Sequence, residues 1–318
     1  MPAVIGISNL QKSFLKEWPM VLLDLVKIRI SLMVTFSVAT GYILAASQIK
    51  METLVTAVAV FFLSCGSCAL NQYQERQLDE LMERTKNRPL PSGELTPAMA
   101  LWIASGLIFS GSLMLFYEIV PVASALGLFA VLWYNGVYTY LKQKTAFAVI
   151  PGALIGAIPP VIGWVSGGGS LLDSRVWAVA LFFFIWQVPH FWLLCLDFAI
   201  DYEKAGFPSL TKIFAMAQHK KIISVWIGST LVSGLLIPLF GFISFSLTYL
   251  FLLTLTFWFL WNGIKFFRSC PIGISFRFAF TKLNLYAFWI LFILSLDRLL
   301  AFNFAESYLF NKMLVVTG

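Results

Sequence analysis

The chain is 318 residues long, 59% hydrophobic and 12% charged, with a mean hydropathy of +0.85. Soluble domains carry about 25% charged residues, so a water-soluble globular enzyme is excluded. The net charge of +7 reads as an orientation signal in the loops of a membrane protein, not as a nucleic-acid surface. The pattern predicts an all-α polytopic membrane protein, a single transmembrane domain over residues 1–318.

In chain order, residues 1–26 are mixed in character and predict an interfacial segment, with no cleavable signal pattern. Lys27 and Arg29 then flank the first expected span, Ile30 to Ser47. Further spans are expected at Thr53 to Leu70, Ala98 to Tyr117, Pro121 to Tyr140, Ala146 to Val165 and Val176 to Cys195. Three more follow at Ile222 to Phe240, Phe245 to Trp261 and Phe278 to Leu296. Each is close to the roughly 17–25 residues that cross a bilayer. With nine spans and a cytoplasmic N-terminus, 18 of the 22 lysines and arginines fall on the inner side. That split obeys the positive-inside rule and puts the chemistry on the cytoplasmic face. Residues 1–24 show neither a signal-peptide nor a transit-peptide pattern, which makes a bacterial cytoplasmic membrane the expected address. Pro151, Pro159 and Pro160 interrupt the fifth span and are expected to kink it and shape a cavity. Cys65 and Cys68 lie among small residues inside the second span, where close helix packing is the expectation.

The second span runs directly into Asn71, Glu75 and Asp79, spaced four residues apart. On a continuing helix these side chains point one way, in a ladder about 12 Å tall. One amide and two carboxylates stacked at the end of a membrane helix repel one another and are costly to desolvate. They are suitable oxygen ligands for a hard divalent cation such as Mg²⁺. Arg84, Lys86 and Arg88 follow at once and suit a polyanion such as a diphosphate. A second acidic pair, Asp197 and Asp201, ends the sixth span, with Lys204 after it. The span count places both acidic helix ends on one membrane face. His190 lies seven residues before Asp197, about two turns along the same face. His219 falls in a basic segment and is expected to be solvated.

These stretches resemble the UbiA superfamily of intramembrane prenyltransferases, and more narrowly its protohaem IX farnesyltransferases (haem O synthases). The ladder, followed by Met82, Arg84, Thr85, Arg88, Pro89, Leu90 and Gly93, is similar to the family's first aspartate-rich motif. Lys27-Ile28-Arg29, Tyr138 to Lys142, Gly156 to Pro160 with Gly163-Trp164, Pro189-His190-Phe191, and Asp201-Tyr202 with Ala205 to Pro208 resemble its further motifs. The sequence departs from the pattern at Ala148, at Ser209-Leu210 and over Ala215 to Lys221, departures that bear on the acceptor more than on the prenyl donor.

The resemblance implies a UbiA-like helical bundle that alkylates haem B with farnesyl diphosphate in a Mg²⁺-dependent reaction. Asn71, Glu75, Asp79, Asp197 and Asp201 would then hold metal, and Arg84, Arg88, Lys204, Lys27 and Arg29 would hold the diphosphate. Asp79, Asp201, Lys142, Tyr138 and His190 are the candidate catalytic residues. His190 would ligate or orient the haem iron or act as a base; bonding to a neighbouring helix is its structural alternative. Membrane lipid and a downstream haem-modifying enzyme are the implied partners. Within the superfamily, an aromatic quinone precursor or another lipid acceptor is the alternative substrate. Outside it stand an ion-coupled transporter and a haem-delivery protein. Transporter sites favour the bilayer midplane, whereas these ladders sit at one face, and haem delivery needs no metal ladder.

Overall fold

A computed structural model describes residues 18–269 and 272–317. Residues 1–17 of the expected interfacial segment, and Cys270, lie outside the described residues. Residues 18–25 form a short helix. Its Leu25 is buried against Ala69, Leu90 and Ala100, and Gln72 Nε2 donates to the carbonyls of Asp24 and Leu25. Long helices follow: α1 (Ile28–Ala46), α2 (Met51–Glu80), α3 (Pro97–Ile119), α4 (Pro121–Leu141), α5 (Ala146–Ser166) and α6 (Ser174–Asp197). The short α7 (Ala199–Lys204) precedes α8 (Met216–Leu236), α9 (Ser246–Ser269) and α10 (Ile272–Thr317).

Among the described residues, eight helices are long and apolar enough to cross a membrane. They take in every expected span except Phe245 to Trp261. That place is filled by α9, 24 residues long and so long enough to cross. α2 has 30 residues, about 45 Å of helix, and it continues unbroken through the whole of the first ladder.

Small residues set the helix spacing. A Cβ on Gly163 would lie 1.9 Å from the carbonyl oxygen of Val38, and one on Gly41 would lie 2.1 Å from that of Pro160. α1 and α5 therefore cross backbone to backbone, possible only where Cβ is missing. Gly66, between the two cysteines, meets Ala104 and Ile108 of α3 in the same way, and Cys65 and Cys68 are buried free thiols. Pro159 and Pro160 lie inside α5, and the carbonyl of Pro151 accepts the indole N–H of Trp133 at 2.8 Å. α4 widens into a π-helical stretch over Leu132–Tyr138, a geometry that re-aims side chains and recurs at functional sites. Asn135 in this stretch pairs with Ser67 and Gln74 of α2.

Candidate active site

The site lies where the end of α2 meets α4, the residues preceding α1, and the loop after α6. Asn71, Glu75 and Asp79 share one face of α2 and are 1%, 4% and 1% exposed. They are thus enclosed within the bundle, not standing at a solvated mouth. Each faces a cation. Lys27 Nζ donates to Asn71 Oδ1 at 2.8 Å, Lys142 Nζ lies 2.6 Å from Glu75 Oε1, and Arg88 Nη1 donates to Asp79 Oδ2 at 2.7 Å. The Lys142 contact is short but poorly aligned, and Glu75 Oε1 lacks a well-formed hydrogen bond. Without these cations the two buried carboxylates would be uncompensated.

Backbone geometry aims the partners. Lys27 sits between the 18–25 helix and α1 at φ 47, ψ 56, a left-handed conformation that a lysine adopts only when its surroundings hold it there. Burial, and then the Arg88 guanidinium, push its ammonium down to about 8. Arg88 is returned to the ladder by the compact turn after α2, in which Thr85 Oγ1 donates to the carbonyl of Asp79 at 2.8 Å. Thr139 holds the other side of Asn71, accepting from its Nδ2 at 3.2 Å.

The second motif approaches the same region from α6 and α7. The helix breaks at Phe198 (φ −113, ψ 25), so Asp197 and Asp201 do not form the continuous ladder expected from sequence. Asp201 Oδ2 accepts the backbone N–H of Arg84 at 3.2 Å. The Arg84 guanidinium lies 4.8 Å from the ring centre of Phe198 and 5.9 Å from that of Tyr202. Met82, Ala205 and Phe207 form a buried apolar cluster with Leu78 and Tyr202, which locks the two loops together. Asp197, Lys204 and Arg29 are exposed and form no ion pair with a described residue. Beside the ladder a cleft is lined by Tyr138, Lys142, Trp192, Cys195, Tyr202 and Phe207. Tyr134 and Phe191 each stack on Tyr138, with ring centres 5.9 and 5.7 Å apart, and of the three Tyr138 lines the cleft.

His190 bonds through Nδ1 to Asn284 of α10 at 2.7 Å. His219 is 2% exposed with both ring nitrogens buried and unpaired. This corrects the expectation of a solvated residue: the first turn of α8 folds under Phe214, whose ring meets the imidazole edge to face. Sequence reasoning also missed Thr139, Asn135 and Asn284. Their only signal is a polar residue inside an apolar span, the pattern that marks function or helix–helix contact.

The site's donors are all oxygen, which suits Mg²⁺. Among the described residues no three His, Cys, Asp or Glu side chains converge on one point.

A buried carboxylate ladder ringed by cations beside an aromatic-lined cleft, in a bundle of membrane-length helices, has the chemistry of an intramembrane enzyme. Residues 32–286 match the UbiA prenyltransferase family. The chain belongs to that family and is a prenyltransferase. It is 42% identical over 213 residues to a protoheme IX farnesyltransferase of Geobacter sulfurreducens, covering 67% of this chain and 78% of that one. A protoheme IX farnesyltransferase of Oleidesulfovibrio alaskensis is 38% identical over 224 residues, covering 70% and 78%. In fold, the chain is similar to a UbiA homologue from Archaeoglobus fulgidus bound to GPP and Mg²⁺, with TM-score 0.68, 14% identity, and coverage of 88% of this chain and 99% of that one.

Proposed function

We propose that the chain transfers farnesyl from farnesyl diphosphate to a vinyl group of haem B, giving haem O, in a Mg²⁺-dependent reaction. The observation that carries this reading is the buried ladder faced by Lys27, Lys142 and Arg88, in a chain whose relatives bear that enzyme's name. From Asn71, Glu75, Asp79, Asp197 and Asp201, one or two carboxylates would hold a Mg²⁺ ion, with water and the diphosphate completing its shell; the ion would supply Lewis-acid neutralisation of the leaving group. Lys27, Lys142, Arg84 and Arg88 bind and orient the diphosphate through charge-assisted hydrogen bonds, while Arg29 and Lys204 attract it from the exposed rim. As the allylic C–O bond breaks, diphosphate departs with the bonding pair. Tyr138, Tyr202 and Phe207 line the cleft, and aromatic rings there would stabilise the cation left behind. The terminal vinyl carbon forms the new C–C bond, and the cation generated beside the porphyrin ring takes up water and releases a proton. The product carries a hydroxyethylfarnesyl side chain.

The reading places this face at the cytoplasmic side of a bacterial inner membrane. Lipid would surround the spans, and a downstream haem-modifying enzyme would take the product. The test is purified protein in nanodiscs with haem B, farnesyl diphosphate and Mg²⁺, followed by mass spectrometry for haem O, with Asp79→Ala as control. Haem O that vanishes in the control supports the reading. Asp79-dependent release of diphosphate only with aromatic acceptors would overturn the haem assignment and keep the prenyl chemistry.

A further inference from the structure

His190 is held in an unusual way for a residue within a membrane span. Its ring lies 4.7 Å from Trp186, 4.7 Å from Phe280 and 5.6 Å from Phe191, centre to centre. Trp186 is itself fixed, donating its indole N–H to the carbonyl of Leu283. Asn284 presents Oδ1 to His190 Nδ1 at 2.7 Å. An amide oxygen only accepts, so Nδ1 carries the ring proton and Nε2 keeps its lone pair. Nε2 makes no hydrogen bond to a described residue. The sequence contains two histidines, and the other, His219, has both nitrogens sealed in the protein.

A histidine with its proton pinned on one nitrogen and a free lone pair on the other is the arrangement found at metal-binding imidazoles, where the outer partner fixes tautomer and orientation. Iron porphyrins take such an axial ligand. We propose that Asn284 is a positioning residue that locks His190 in the Nδ1–H tautomer, so that Nε2 coordinates the iron of the porphyrin acceptor. The inference rests on the haem reading of the function. It gives α10 a role in acceptor binding: one helix supplies both the amide and the Phe280 wall.

The experiment titrates haem B into the full chain in nanodiscs and follows the visible absorption spectrum, with conversion to haem O measured in parallel and thermal melting as a check of folding. The wild type should show the bands of a histidine-ligated haem. His190→Gly should lose them, and added imidazole should restore them. Asn284→Leu should weaken haem binding by about 10- to 100-fold, the range for loss of a metal ligand's outer partner, while Asn284→Asp, which keeps an acceptor oxygen, should stay near wild type. An unchanged spectrum in His190→Gly, with haem O still formed, would overturn the ligand assignment and leave the function standing. Equal affinity in Asn284→Leu and the wild type would overturn the positioning role. A wild type that neither binds haem B nor forms haem O would overturn the acceptor reading as well.

Discussion

Changing Lys142 to alanine should separate what the Glu75–Lys142 pair does for the fold from what it does for chemistry. Glu75 is 4% exposed, and its Oε1 lies 2.6 Å from the lysine ammonium. Removing that ammonium strands a buried carboxylate, which costs about 3–5 kcal/mol. The Lys142 side chain is 20% exposed, so water reaches the gap and the lower end applies. About 3 kcal/mol is roughly a 100-fold shift in the unfolding equilibrium and about 4–5 °C in melting temperature for a chain of this length. Adding Glu75→Gln to Lys142→Ala removes the stranded charge, and the double variant should recover to within about 1 kcal/mol of wild type, about 2 kcal/mol more stable than the single variant. Neither variant should turn over, because both lack the cation beside the ladder. The assay is thermal unfolding in detergent followed by tryptophan fluorescence in the presence of chelator, so that added metal does not compensate, together with diphosphate release. Equal melting of the single and double variants would refute the buried ion pair. Full activity in the double variant would refute the ladder's part in catalysis.

Asp79→Ala should abolish diphosphate release, and chelation of divalent metal should do the same reversibly in the wild type, with activity returning on addition of Mg²⁺. Gly163→Ala should destabilise by about 3 kcal/mol, the upper end for overpacking, because the obstacle is the Val38 backbone and not a mobile side chain; Gly228→Ala, where a Cβ meets nothing within 4 Å, is the matched control in a melting experiment. The Arg175 guanidinium beside Asp173 holds its carboxyl below the usual range, while its Oδ1 caps the first turn of α6. Since the folded value lies below the unfolded one, this contribution is complete above about pH 4 and is lost as pH falls through the folded value. Asp173→Asn should therefore flatten part of the acid limb of the melting curve, by less than about 1 kcal/mol for so exposed a pair.

How far the sequence revealed the site depended on whether the relevant contacts lie within one helix. The Asn71–Glu75–Asp79 ladder was legible because four-residue spacing is a property of the helix itself, and α2 continues through it. Arg88 was legible by proximity, nine residues after Asp79. Asp197 and Asp201 were readable as a pair, but the break at Phe198 depends on how the loop packs on Met82 and Phe207, so their separation was not readable. The Lys142–Glu75 and Lys27–Asn71 contacts join residues 67 and 44 positions apart. Spacing says nothing about such pairs, and only the resemblance singled out these lysines. His219 was misread because a basic neighbourhood in sequence says nothing of which face of α8 turns inward. Asn284 carried no signal beyond being an amide in a hydrophobic helix. The close crossing of α1 and α5 was hidden for the same reason: a glycine in a span reports a close approach but not by what.

The charge balance of the enclosed cluster sets a further requirement. Lys27, Lys142 and Arg88 face two carboxylates and one neutral amide, leaving one positive charge. A diphosphate trianion brought into that space leaves about two negative charges uncompensated, in surroundings where an unpaired charge is costly. One divalent cation entering with it restores neutrality. Prenyl diphosphate and Mg²⁺ should therefore bind with positive coupling, each tightening the other by the same factor, about 5- to 150-fold for a coupling of about 1–3 kcal/mol. Glu75→Gln adds a positive charge and removes a metal donor, so it should shift the balance toward diphosphate that needs less metal. Calorimetric titration of a non-hydrolysable farnesyl diphosphate analogue at several Mg²⁺ concentrations measures both factors. Affinity for the analogue that is flat across Mg²⁺ concentration, in wild type and Glu75→Gln alike, would show that the basic residues alone satisfy the diphosphate and that the ladder serves the fold.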